Sequence, residues 1–100
     1  MIALCVALSP VAHGYDHIVV DTIKYVQVKN DQAGVNSFEL TTTPGNCTDP
    51  QFVPVAGVTD GARKATLSIL LTAFVGGKEV RVAYNVDGND CRWENVRILD

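Results

Sequence analysis

The chain has 100 residues, of which 47% are hydrophobic and 19% charged, with a formal net charge of −3 and a sequence pI of about 5.2. A chain of that length supports one hydrophobic core, and the composition is that of a folded domain, not a disordered polar chain. The acidic balance lacks the cationic footprint that a phosphate backbone requires, which counts against nucleic acid as the main ligand.

Residues 1–14, MIALCVALSPVAHG, join an apolar run from Ile2 to Leu8 to a small-residue segment ending in Ala12-His13-Gly14. This reads as the hydrophobic and cleavage regions of a signal peptide with a truncated basic n-region, leaving residues 15–100 as a single domain. The alternative is an ordinary first strand or helix that packs on the domain, because short apolar runs do not distinguish the two. Without the leader, Cys47 and Cys91 form an even pair in turn-like surroundings, PGNCTDP and DGNDCRW. A disulfide between them is expected if the chain reaches an oxidising compartment, and two free surface thiols if it does not.

Ile18 to Lys29 is β-branched and aromatic-rich, but its alternation changes phase, with Ile23 and Tyr25 on one face and Val26 and Val28 on the other. The spacing predicts a long first strand with a bulge or bend in its middle. Asn30 to Gly34 turns the chain, and Val35 to Thr43 forms a second strand with Phe38 and Leu40 on one side. Gln51 to Val55 is limited to a short or edge strand, since Pro54 cannot donate to a ladder.

A helix follows, opened by Asp60, with Leu67, Leu70, Leu71 and Phe74 as its apolar stripe and Gly76 as its left-handed stop. A second, smaller stripe of Ala62, Ala65, Ile69 and Ala73 asks for a second partner and marks a candidate oligomer interface. Val80, Val82, Tyr84 and Val86 alternate along a fourth strand, Asp87 to Asp90 makes a hairpin turn, and Trp93 to Leu99 is the last strand. The expected fold is therefore mainly β with one helix, in the order strand, strand, strand, helix, strand, strand. That is the order of the five-stranded OB-fold barrel.

Ala65 to Val82, ATLSILLTAFVGGKEVRV, resembles the helix, glycine and V-R-V signature of small exported bacterial OB-fold proteins similar to the binding subunits of subtilase-type pentameric toxins. The resemblance extends more loosely to the leader, the first strand and the two cysteines. It implies a periplasmic or secreted homo-oligomer, a pentamer in the toxins, whose helices line a central pore and whose ligand is a glycan. No glycan-contacting residue of the toxins matches a position here.

No nucleophile elbow, Cys-His pair or spaced acid pair is present, so no catalytic residue and no cofactor site are assigned. His13, Asp16 and His17 in HGYDH lack a third ligand and read as a solvated junction, not a metal site. Asp87-Gly88-Asn89-Asp90 lacks the length and terminal glutamate of a calcium loop. Asn46-Cys47-Thr48 is a glycosylation sequon in form, but a disulfide at its central cysteine opposes occupancy. Tyr25, Arg81, Tyr84, Arg92, Trp93 and Arg97 are the candidate ligand surface, with aromatic rings to stack on a sugar and arginines to take a carboxylate. The competing placement puts the aromatic side chains in the barrel core and the arginines in solvent. The function expected is a non-catalytic exported binding or assembly module, with glycan as the first ligand class. The alternatives are a nucleic-acid-binding OB domain and a periplasmic accessory or inhibitor that binds another protein.

Overall fold

A computed structural model of the chain describes residues 15–28 and 37–100. The leader segment and the first turn, which the sequence places in residues 1–14 and 30–34, lie outside the described residues. Five strands and one helix follow in order: β1 (His17–Gln27), β2 (Ser37–Leu40), β3 (Gln51–Pro54), α1 (Asp60–Gly76), β4 (Glu79–Asp87) and β5 (Asp90–Ile98). The sheet closes into a ring in the spatial order β1-β2-β3-β5-β4, with β4 returning to β1. All pairings are antiparallel except that of β3 with β5.

β1 can serve two neighbours because it is long and irregular. His17 to Thr22 pairs with β4, and Ile23 to Gln27 pairs with β2, with the register shifting between Ile23 and Tyr25 where Leu40 and Glu39 are consecutive partners. Lys24 is the extra residue, and the phase change in the sequence is the mark of this bulge. Inside the ring lie Phe38, Phe52, Leu40, Trp93, Val80 and Val82, with Leu70 of the helix packed in the same cluster. Phe38 and Phe52 are cross-strand partners with rings stacked at 5.3 Å, and Tyr84 meets Phe52 edge-on at 5.1 Å. Each such aromatic contact adds about 0.5–1.5 kcal/mol to the apolar burial itself.

The helix differs from expectation at both ends and in its facing. Its N-cap is Thr59, not Asp60: the Thr59 hydroxyl accepts from the Ala62 N–H at 3.1 Å, and Asp60 sits in the first turn, where its charge suits the helix dipole. Its left-handed stop is Gly77, one residue later than expected, at φ 66°, with the Lys78 N–H returning to the Ala73 carbonyl. The buried line is Thr66, Leu70 and Ala73, flanked by the partly buried Leu67 and Ile69. Ala73 is small enough to let the helix approach the ring closely. The line runs between the two stripes visible in the sequence, so Leu71 and Phe74 turn outward instead of into the core. The candidate interface is divided as a consequence. Ala62 and Ala65 are exposed, Ile69 is half-buried, and Ala73 is fully buried under its own sheet and is not available to another subunit.

Cys47 and Cys91 form a disulfide. It fastens the β2–β3 loop to β5, and two hydrogen bonds to the β4–β5 hairpin reinforce the attachment: the Tyr84 hydroxyl donates to Asn46 Oδ1 at 2.8 Å and the Asp49 N–H to the Asn89 carbonyl at 2.9 Å, while the Gln51 N–H donates to Asp49 Oδ1 at 3.0 Å within the loop itself. The β4–β5 connection is a two-residue turn between the partners Asp87 and Asp90, with Gly88 first and at φ 64°, the glycine-first form that suits a twisted hairpin.

Candidate functional site

The ladder between β2 and β3 is short, holding only Phe38 with Phe52 and Glu39 with Gln51 among the described residues. Pro54 is the local reason on the β3 side. It has no N–H to give a neighbouring strand, and its carbonyl accepts from Arg92 Nη1 at 3.4 Å. Where the strands part, a cleft of about 330 Å³ opens, with Gln27, Ser37, Gln51, Pro54, Arg63 and Arg92 on its walls. Its polar groups are already ordered by one another. The Gln51 amide donates to the Tyr25 hydroxyl at 2.9 Å, and the Ser37 hydroxyl donates to Gln27 Oε1 at 3.0 Å. Arg92 is neutralised from outside the cleft, with Nε 3.2 Å from Asp87 Oδ2 and Nη2 3.4 Å from Asp90 Oδ2. Arg63 is 3.8 Å from Asp60. The cleft thus presents amides, hydroxyls and two arginines whose charges are balanced by nearby carboxylates, a set suited to hydrogen-bonding a polar, uncharged ligand.

The six residues of the sequence-derived ligand surface do not share one place. Arg92 lines the β2–β3 cleft, and Tyr25 is tied to it only through the hydrogen bond its hydroxyl accepts from Gln51. Tyr84 and Trp93 are partners on the inner face of β4 and β5, 3% and 1% exposed, and form part of the core instead of a ligand platform. Large rings at inward positions of a small closed sheet are what fill it. Trp93 Nε1 is buried there without a hydrogen-bond partner among the described residues. Arg81 and Arg97 stand on the opposite, outward face of those strands, and Arg81 lines a second cleft with Tyr15, Ala83, Glu94 and Asn95. At the start of β1 the half-buried His17 ring lies 5.3 Å from that of Tyr84, so it packs on an aromatic neighbour, while His13 of the HGYDH segment lies outside the described residues.

Gln27, Ser37, Gln51 and Arg63 were not among the sequence-derived candidates. Only Pro54 carried a signal, because a proline in a β-rich run marks where a ladder must end. No helix among the described residues is long and apolar enough to cross a membrane. The chain matches no protein-family model, no curated protein and no solved structure.

Proposed function

We propose that this domain is an OB-type barrel acting as an exported, non-catalytic binding module that takes a glycan in the β2–β3 cleft. One observation carries the reading: amide and hydroxyl side chains converge at the opening between β2 and β3, the face that OB-folds offer to oligosaccharides. The ring order, with β3 parallel to β5 and a helix between β3 and β4, supports the fold name. The Cys47–Cys91 bridge supports an oxidising compartment, periplasmic or secreted. A nucleic-acid ligand is opposed by the net charge of −3. The test is a glycan array on the full chain, repeated with Gln51→Ala. Binding that falls about tenfold or more, as loss of a hydrogen bond in a site built for it produces, supports the reading. An array without hits, or hits unchanged in the variant, refutes it.

The module also self-associates through its helix, on a different side from the one the small-residue stripe marked. Leu71, Phe74 and Val75 are 45%, 47% and 84% exposed on its C-terminal half, and apolar side chains grouped in this way suit a subunit contact. The assembly suggested by the toxin-like signature is a ring. Light scattering on the non-reduced chain checks this, with Val75→Asp expected to shift an oligomer towards monomer. A monomeric wild type sets the assembly aside and leaves the glycan reading intact.

A further inference from the structure

Arg81 and Arg97 are direct partners on the antiparallel strands β4 and β5. Their side chains therefore rise from the same outward face with Cβ atoms about 5 Å apart, a position in which like charges repel. Among the described residues neither makes an ion pair or a hydrogen bond. On the neighbouring strand β1, Val20 is the partner of Arg81 and Ile18 the partner of Ala83. Both point outward, 46% and 49% exposed, while Val19 between them packs on the core.

The adjoining part of the face is shaped by a bulge. Ala83 pairs with Asn95 and Tyr84 with Trp93, so Glu94 has no partner on β4. An extra residue of this kind brings two consecutive side chains to one side. Glu94 and Asn95 both point outward between the buried Trp93 and Val96, and they line a cleft of about 380 Å³ with Tyr15, Arg81 and Ala83. Glu94 forms no ion pair with Arg81.

We propose that this outer face of β1, β4 and β5 docks an acidic, apolar-flanked segment of a partner protein. A carboxylate of that segment bridges Arg81 and Arg97, and its aliphatic side chains cover Ile18 and Val20. Charge complementarity names the head group. A carboxylate between two guanidinium groups makes charge-assisted hydrogen bonds to both and removes their mutual repulsion. The aliphatic flank favours a polypeptide over a glycan, because covering exposed Ile18 and Val20 is favourable only with apolar surface. Main-chain pairing is not the mode of recognition: β4 lies between β1 and β5 and is paired on both sides. Glu94 and Asn95 then take hydrogen bonds from the same segment in the bulge cleft.

The test uses the full non-reduced chain and an acetylated, amidated hexapeptide of two valines, two glutamates and two valines in that order, which presents both residue types on each side when extended, titrated by calorimetry. Binding is expected, weakening as salt rises. The Arg81→Gln/Arg97→Gln variant should lose at least about tenfold in affinity and Ile18→Ser/Val20→Ser about fivefold, as expected for losing a charge-assisted contact and two aliphatic contacts. Gln51→Ala should change nothing, which separates this surface from the glycan cleft. Circular dichroism checks that each variant is folded; all four side chains point away from the core. The proposal is overturned if the hexapeptide does not bind, if the arginine variant binds it equally, or if a lysine-for-glutamate peptide does as well. It is also overturned if a serine-for-valine peptide or sulfate alone binds as tightly, which makes the face an anion site only, or if Arg97→Glu dissociates an oligomer of this chain, which assigns the face to a second copy.

Discussion

Arg92 and Arg97 stand on the same strand and both turn away from the core, yet their surroundings differ in kind. Arg92 is held on three sides, by Asp87, Asp90 and the carbonyl of Pro54, so its charge is spent on the hairpin and on the strand whose ladder stops beside it. Arg97 faces another arginine across the ladder. Residue type does not separate these roles; what does is the neighbour that strand register supplies. Near the Cys47–Cys91 bridge the arginine is paired with the molecule's own carboxylates, and at the far end of β5 two arginines face each other with no ion pair among the described residues.

The largest test of this contrast is removal of the bridge. Its ends are 44 residues apart, and the chain-entropy estimate for a loop of that length is about 4 kcal/mol. Urea unfolding of Cys47→Ser/Cys91→Ser should show a loss of that order, with amide exchange rising earlier at Val53–Val55 than along the β1–β4 ladder. Equal loosening of both ends would remove the distinction between a fastened and an open region.

A smaller effect is expected at Trp93, which lies on β5 between the two arginines. Trp93→Phe should cost about 1–2 kcal/mol, below the roughly 3–5 kcal/mol of a truncation to alanine, since the change also removes a buried donor with no partner. A cost as large as that of alanine would mean that the indole N–H is paired in solution. Arg92→Gln should lose about 1 kcal/mol, an ordinary value for partly exposed ion pairs, and the loss should shrink at high salt. Smallest of all, Arg97→Gln should fall within about 0.5 kcal/mol of wild type and lean towards stabilisation at low salt, because it relieves a like-charge pair. If thermal melts show Arg97→Gln to be the more damaging of the two, the assignment of structural and free arginine is reversed.

Much of the fold was legible because its signals are local. The phase change in Ile18–Lys29 announced the β1 bulge, Pro54 the end of a ladder, and Gly88-Asn89 the hairpin. The last strand begins earlier than the expected Trp93: Asp90, the end of the expected turn, and then Cys91 and Arg92 pair with Asp87, Val86 and Asn85 and extend the hairpin to its tip. The helix ends were missed by one residue each, since Thr59 and Asp60 are both competent caps and Gly76 and Gly77 both competent stops.

The candidate site was less legible, because it is assembled from residues far apart in the chain. Tyr25 and Gln51 meet only because β1 and β3 flank β2, and Glu94 faces out beside Asn95 only because one residue of β5 has no partner.

The sequence by itself determined the order of five strands and one helix, the cysteine pair and the chain's acidic balance, all properties of neighbouring residues or of simple counts. Only the tertiary structure decided which line of the helix is core, that Tyr84 and Trp93 fill the closed sheet, and that Arg81 and Arg97 face each other while Arg92 is neutralised. The physical reason is that alternation fixes which residues share a face, whereas register and closure of the ring fix which face is inside and what stands opposite.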